Sequence, residues 1–170
     1  YDKDGDLDLI VMNHSDWFFE TTGESLIKLR DHPELTETMS PQLYQNNGNN
    51  TFSNVSKKAG INHYSFGLGL ATSDINQDGL VDAYITNDFM TPDFLFANRG
   101  NGTFTESIKS FTRQISWFGM GCDIADLNND GLLDIVSLDM LPDEQSILKK
   151  SAGGDSWNIA KIKEQNGYRT

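Results

Sequence analysis

The sequence predicts an all-β chain, a fragment of a β-propeller of about two to three four-stranded blades with helical insertions. Three observations predict it: motifs that recur at one fixed offset, short β-rich runs grouped four to a repeat, and Asp- or Asn-rich loops with glycine between those runs.

The repeat carries most of the weight. Leu43-Tyr44-Gln45-Asn46-Asn47-Gly48-Asn49-Asn50-Thr51-Phe52 recurs 52 residues on as Leu95-Phe96-Ala97-Asn98-Arg99-Gly100-Asn101-Gly102-Thr103-Phe104. The same offset carries Phe66-Gly67-Leu68-Gly69 onto Phe118-Gly119-Met120-Gly121. It also carries the loop 74–82 onto 126–134. Three blocks in one register are not chance. A further copy opens the chain, where Asp2-Lys3-Asp4-Gly5-Asp6-Leu7-Asp8 matches Asn76 to Asp82. Asp4 and Leu43 are 39 residues apart and Asp78 and Leu95 only 17, so the first copy carries 22 extra residues within 13–41. The expected organisation is a truncated first repeat over 1–60, a complete one over 61–112, and a third over 113–170 with a helical insertion at about 141–167. The chain opens inside a motif, so it is expected to be a piece of something longer, and the missing leader carries no information.

Each unit reads strand, Asp loop, strand, strand, Asn-Gly turn, strand. Phe66–Ala71 and Phe118–Ile124 are the strands before the loop. Leu7–Val11, Val81–Ile85 and Leu133–Val136 are those after it. Asn47-Gly48-Asn49 and Arg99-Gly100-Asn101-Gly102 are hairpin turns, with Asn and Gly at the left-handed positions. The paired glycines suit innermost strands, which crowd round a propeller axis. Two stretches read as helix instead, Leu141 to Lys150 and Ser156 to Asn166, the second capped by Ser156 and ended by Gly167; 25–30 reads as a short helix too.

Composition narrows the function. Thirteen basic against 25 acidic residues give a net charge of −12 and a pI near 4.4, which argues against nucleic acid or an anionic membrane surface as partner. Of the 25 acids 18 are Asp, a bias toward turns and hard-cation ligation rather than solvated helix. No apolar run spans a membrane. The single cysteine, Cys122, excludes an internal disulfide and a Cys-rich zinc site.

The loop D-x-N-x-D-G-x-x-D places oxygen ligands at positions one, three and five, a carbonyl at seven and a carboxylate at nine. The glycine at six permits the turn that gathers them. An all-oxygen set suits Ca²⁺ and argues against zinc. Helix-flanked calcium loops share the first six positions but need an acid at twelve, where this chain has Ile85 and Ser137. A lone Asp-Gly would be a hairpin turn on an acidic surface. Repetition in register favours a metal.

These residues resemble the FG-GAP/VCBS repeats of integrin α-like propellers. The likeness rests on Phe66-Gly67-x-Gly69, the loops 74–82 and 126–134, and the Asn-x-Gly-x-x-Thr-Phe turns at 46–52 and 98–104. Leu138-Asp139-Met140-Leu141-Pro142-Asp143 with the helical stretch after it is similar to the bacterial branch of the cartilage acidic protein and ASPIC/UnbV-related family. The resemblance implies an exported (extracellular, cell-surface or periplasmic) calcium-stabilised propeller with a binding or adhesive role. It implies as ligands Asp74, Asn76, Asp78, the Leu80 carbonyl and Asp82. The second set is Asp126, Asn128, Asp130, the Leu132 carbonyl and Asp134, and the truncated copy keeps Asp2, Asp4, the Asp6 carbonyl and Asp8. Asn50 stands where Gly102 gives the usual residue, a change the turn should tolerate.

Other residues read more plainly. His14, His32 and His63 stand in no catalytic motif and are surface or packing residues. Trp17-Phe18-Phe19 reads as a hydrophobic staple before a sugar platform, Cys122 as a buried thiol, and Lys149, Lys150, Lys161 and Lys163 as a solvated helical face. Two function classes follow. A non-enzymatic module would hold structural Ca²⁺ and contact a protein or glycan ligand, without inserting in a membrane. A polysaccharide-active propeller enzyme would need catalytic groups outside this stretch, and the acids here are committed to metal.

Overall fold

The computed structural model describes residues 1–14, 37–88, 91–116 and 118–140. The helices expected at 25–30, 141–150 and 156–166, most of the insertion within 13–41, Trp17–Phe19, His32 and the four late lysines lie outside the described residues.

Nine strands and two short helices are described in full, and residues 37–39 are helical as well. Strands β1 (Leu9–Val11), β2 (Gln42–Asn46) and β3 (Phe52–Asn54) form one sheet, and α1 (Ser56–Ala59) follows it. Strands β4 (Gly67–Ser73), β5 (Asp82–Asn87), β6 (Phe94–Asn98) and β7 (Phe104–Glu106) form a four-stranded sheet followed by α2 (Ile108–Phe111). Strands β8 (Gly119–Ala125) and β9 (Asp134–Asp139) pair as a third sheet. Every pairing is antiparallel and consecutive, so each sheet is a meander. The protein is all-β, a run of propeller blades.

The offset in the sequence reappears as register. Asn46 pairs with Phe52 and Asn98 with Phe104. The pairing slips between Gly67 and Gly69, and slips again between Gly119 and Gly121. Two details differ from the sequence reading. The strand expected from Leu7 begins only at Leu9, and Leu7 stays 88% exposed. Helices α1 and α2, one turn each, were not anticipated, although they too stand in equivalent places after β3 and β7.

Alternation in the central sheet builds two cores. Ala83, Ile85, Phe94 and Phe96 face the first sheet and pack with Leu43, Ala59 and Ile61. Tyr84, Leu95 and Ala97 point the other way, onto Ile108 and the partly buried Cys122, Ile124 and Ile135. Period-two patterning on a sheet covered on both sides produces this division. Phe66, Phe96, Ile85 and Leu95 are fully buried, each worth about 1.5–3 kcal/mol of transfer free energy. A buried polar pair sits among them: the Tyr84 hydroxyl donates to Asp93 Oδ2 at 2.9 Å. Burial, then the Asp93 charge, pushes the phenol far above its usual range.

The glycine pairs do bring sheets together. A Cβ on Gly69 would lie 2.6 Å from Thr86 Oγ1 and 2.8 Å from both Gly121 Cα and the Cys122 nitrogen. Strands β4 and β8 are therefore in backbone contact, which side chains there would forbid. Cys122 is half-buried rather than buried. Its thiol lies 3.9 Å from the Tyr84 carbonyl, and desolvation raises its pKa. His63 rests against Phe94 and Phe96 at ring distances of 5.5 and 5.4 Å, and His14 meets the edge of Phe66. Among the described residues no helix is long and apolar enough to cross a membrane.

Candidate metal centre

The Asp loops join the first and second strands of each blade. Loop 74–82 links β4 to β5, loop 126–134 links β8 to β9, and 2–8 leads into β1. Position six turns as expected, with Gly79 at φ 81° and Gly131 at φ 86°. Position four is left-handed as well and is never glycine: Lys3, Gln77 and Asn129 have φ of 63°, 59° and 61°. That feature was not read from the sequence, where position four looks like a free choice.

This turn gathers the side chains at one, three and five. In the loop 74–82, Asp74 Oδ1 and Asn76 Oδ1 both accept the Asp78 amide, at 3.0 and 2.9 Å. Asp74 Oδ2 accepts the Gly79 amide at 2.8 Å, and Asp78 Oδ1 that of Leu80 at 2.9 Å. Asn76 Nδ2 touches Asp78 Oδ2 at 2.9 Å. Loop 126–134 repeats the pattern: Asp126 Oδ1 and Asn128 Oδ1 share the Asp130 amide at 3.1 and 2.9 Å. Asp126 Oδ2 takes the Gly131 amide and Asp130 Oδ1 that of Leu132, each at 2.8 Å. In the truncated copy, Asp4 accepts the Asp6 amide at 2.9 Å and Asp2 that of Asp4 at 3.3 Å. Backbone amides thus aim successive oxygens at one turn, satisfying donors that no ladder reaches. The position-seven residues Leu80, Leu132 and Asp6 are tied through their amides.

Position nine behaves differently. Asp82 is buried and braces two segments, accepting the Ile75 amide at 3.1 Å and the Asn98 amide at 2.8 Å. Burial raises its pKa; the Asn98 and Ile75 amides pull it back, and the Asp78 charge adds to the rise. Asp8 accepts the Asn46 amide at 2.9 Å and the Tyr1 nitrogen at 2.6 Å, the latter standing where Ile75 stands in the next copy. Asp134 accepts the Leu127 amide at 3.1 Å and is only half-buried. The Asn of the following turn completes the brace: Asn98 Nδ2 reaches the Val81 carbonyl at 3.1 Å, and Asn46 Nδ2 the Leu7 carbonyl at 3.2 Å. Sequence reasoning missed Asn46 and Asn98 in this role. Their signal was present, since the Asn opens each Asn-x-Gly turn.

Among the described residues, no three His, Cys, Asp or Glu side chains stand together as a ready metal cage. The convergence seen includes an asparagine in each complete loop, and its carboxylates rest on N–H groups. The donor chemistry still fits a hard cation. Every candidate ligand offers an oxygen, and positions one and three share a single amide in both complete loops. A carboxylate or amide oxygen that accepts one N–H keeps a lone pair for a second partner.

A model of the FG-GAP-like repeat matches residues 1–85 and 74–137. The relative "Cartilage acidic protein 1" of Xenopus tropicalis is 36% identical over 104 residues, 61% of this chain and 16% of the relative. The proteins of that name from Mus musculus and Homo sapiens are each 36% identical over 83 residues, 48% of this chain. Those matches cover 13% and 12% of the relatives, so the chain spans a small part of their length.

Proposed function

This chain belongs to the FG-GAP-like repeat family, and we propose that it is a non-enzymatic, calcium-binding repeat module of an exported protein, with repeats over 1–60, 61–112 and 113–170. One observation supports the reading above others: in both complete loops the side chains at one and three share the amide of position five. Asp74, Asn76, Asp78, the Leu80 carbonyl and Asp82 would hold one ion. Asp126, Asn128, Asp130, the Leu132 carbonyl and Asp134 would hold another, and 2–8 offers Asp2, Asp4, the Asp6 carbonyl and Asp8.

The ion would offset two of the three carboxylate charges in each complete loop and fix the turn. The work of the loop is structural: it sets where β5 and β9 start against β4 and β8. Extracellular sites of this kind bind at roughly 10⁻⁴–10⁻³ M, so they fill outside a cell. The rigid rim would then present a surface to a protein or glycan ligand.

Thermal melts in Ca²⁺, Mg²⁺ and EGTA test this. At one hundred times Kd a single site adds about 2.7 kcal/mol, a rise of several degrees in Tm for a chain of this size. Stabilisation by Ca²⁺ and not by Mg²⁺ is expected. Identical melts in all three conditions would remove the assignment.

A further inference from the structure

We infer that the residue at position four of each Asp loop is a latch onto the next loop, so that cation binding at neighbouring loops is coupled; this rests on the calcium reading above. Two contacts between separate loops lead to it. Gln77 Nε2 donates to the Gly131 carbonyl at 2.9 Å, across 54 residues of chain. Lys3 Nζ lies 3.6 Å from where a Cβ on Gly79 would stand. Gln77 is thus bonded to position six of the following loop, and Lys3 stands over position six of the loop after its own.

Backbone geometry makes the reach possible. Lys3 and Gln77 hold φ at 63° and 59°, a conformation L side chains rarely adopt. It turns the side chain out of its own loop toward the neighbour. Asn129 holds the same conformation at φ 61°, so it recurs with the loop; Lys3 and Gln77 differ in having the following loop within reach.

The chain of contacts runs through both candidate sites. Gln77 lies between Asn76 and Asp78, whose side chains meet at 2.9 Å. Its amide grips the Gly131 carbonyl, and the nitrogen of that same residue donates to Asp126 Oδ2 at 2.8 Å. An ion that fixes 76–78 therefore fixes Gln77, and Gln77 holds the residue that orients the first ligand of the next loop. Linkage makes the effect reciprocal. The latch is a single solvent-exposed hydrogen bond, so the coupling should be modest, about threefold in affinity.

The test is a Ca²⁺ titration of the ¹⁵N-labelled chain, following the Gly79 and Gly131 amide resonances as separate reporters of the two loops. Disabling loop 74–82 with Asp78→Ala, or with Asp74→Asn should the first variant fold poorly, should weaken binding at Gly131 about threefold. In Gln77→Met, similar in length but without a donor, binding at Gly131 should already be weaker and Asp78→Ala should add nothing. Gln77→Lys, which restores the residue type of Lys3, should restore the coupling. Coupling of equal size in Gln77→Met overturns the latch, as does independent binding in the parent chain. No calcium response at either glycine instead overturns the calcium reading, and the latch falls with it.

Discussion

The Asp82 carboxylate accepts the Asn98 amide at 2.8 Å, and one blade earlier Asp8 accepts the Asn46 amide at 2.9 Å. The last acid of these two loops is thus a brace between the loop and the next hairpin, whatever else it holds. Asp82 is fully buried, and it pairs two amides that would otherwise be unsatisfied.

Asp82→Ala should therefore destabilise the chain in the absence of any cation. Orphaning the buried Asn98 N–H costs about 1–3 kcal/mol, and the half-buried Ile75 N–H less. Part of that returns because a buried charge is removed, and burial does raise this carboxyl's pKa. A net loss of about 2 kcal/mol in urea denaturation with EGTA present is expected. An unchanged midpoint would mean that the brace contributes nothing.

The two glycines of one motif should respond oppositely to a methyl group. Gly69→Ala forces a Cβ to 2.6 Å from Thr86 Oγ1 and 2.8 Å from backbone atoms of Gly121 and Cys122, whereas a Cβ on Gly121 meets nothing within 4 Å among the described residues. The first should cost about 3 kcal/mol and the second under about 1 kcal/mol. Thermal denaturation of the pair checks it, and equal costs would contradict the close approach of β4 and β8.

Cys122 should be a slow thiol. Desolvation raises its pKa, so the thiolate forms only above the ordinary thiol range and the folded chain keeps it protonated near pH 8. Alkylation by iodoacetamide should be much slower in the folded chain than in urea, and the folded rate should keep climbing past the pH at which the rate in urea levels off. A folded-state plateau at lower pH than in urea would show a depressed pKa instead.

Much of this architecture was legible because a repeat constrains itself. The offset that carries Asn46 onto Asn98 also carries Phe52 onto Phe104, and those residues pair in both hairpins. Phe66-Gly67-x-Gly69 announced an inner strand because only glycine tolerates such contact. Local chemistry likewise placed the turns at Gly79 and Gly131. The brace was hidden by distance: Asp8 and Asn46 are 38 residues apart, Asp82 and Asn98 only 16, so no fixed spacing links them. The latch was hidden by identity, since Lys3 and Gln77 share a backbone conformation and a direction but no side-chain chemistry. One-turn helices such as α1 carry too little periodicity to read.

Equilibrium dialysis against ⁴⁵Ca²⁺ tests the central claim most directly. One ion per complete loop should bind, with dissociation constants of roughly 10⁻⁴–10⁻³ M. Asp130→Ala should remove the ion from loop 126–134, and Asp78→Ala with Asp130→Ala should remove both. More than one ion retained by the double variant, where only 2–8 is left to hold one, or none bound to the parent chain at roughly ten millimolar calcium, would contradict the account.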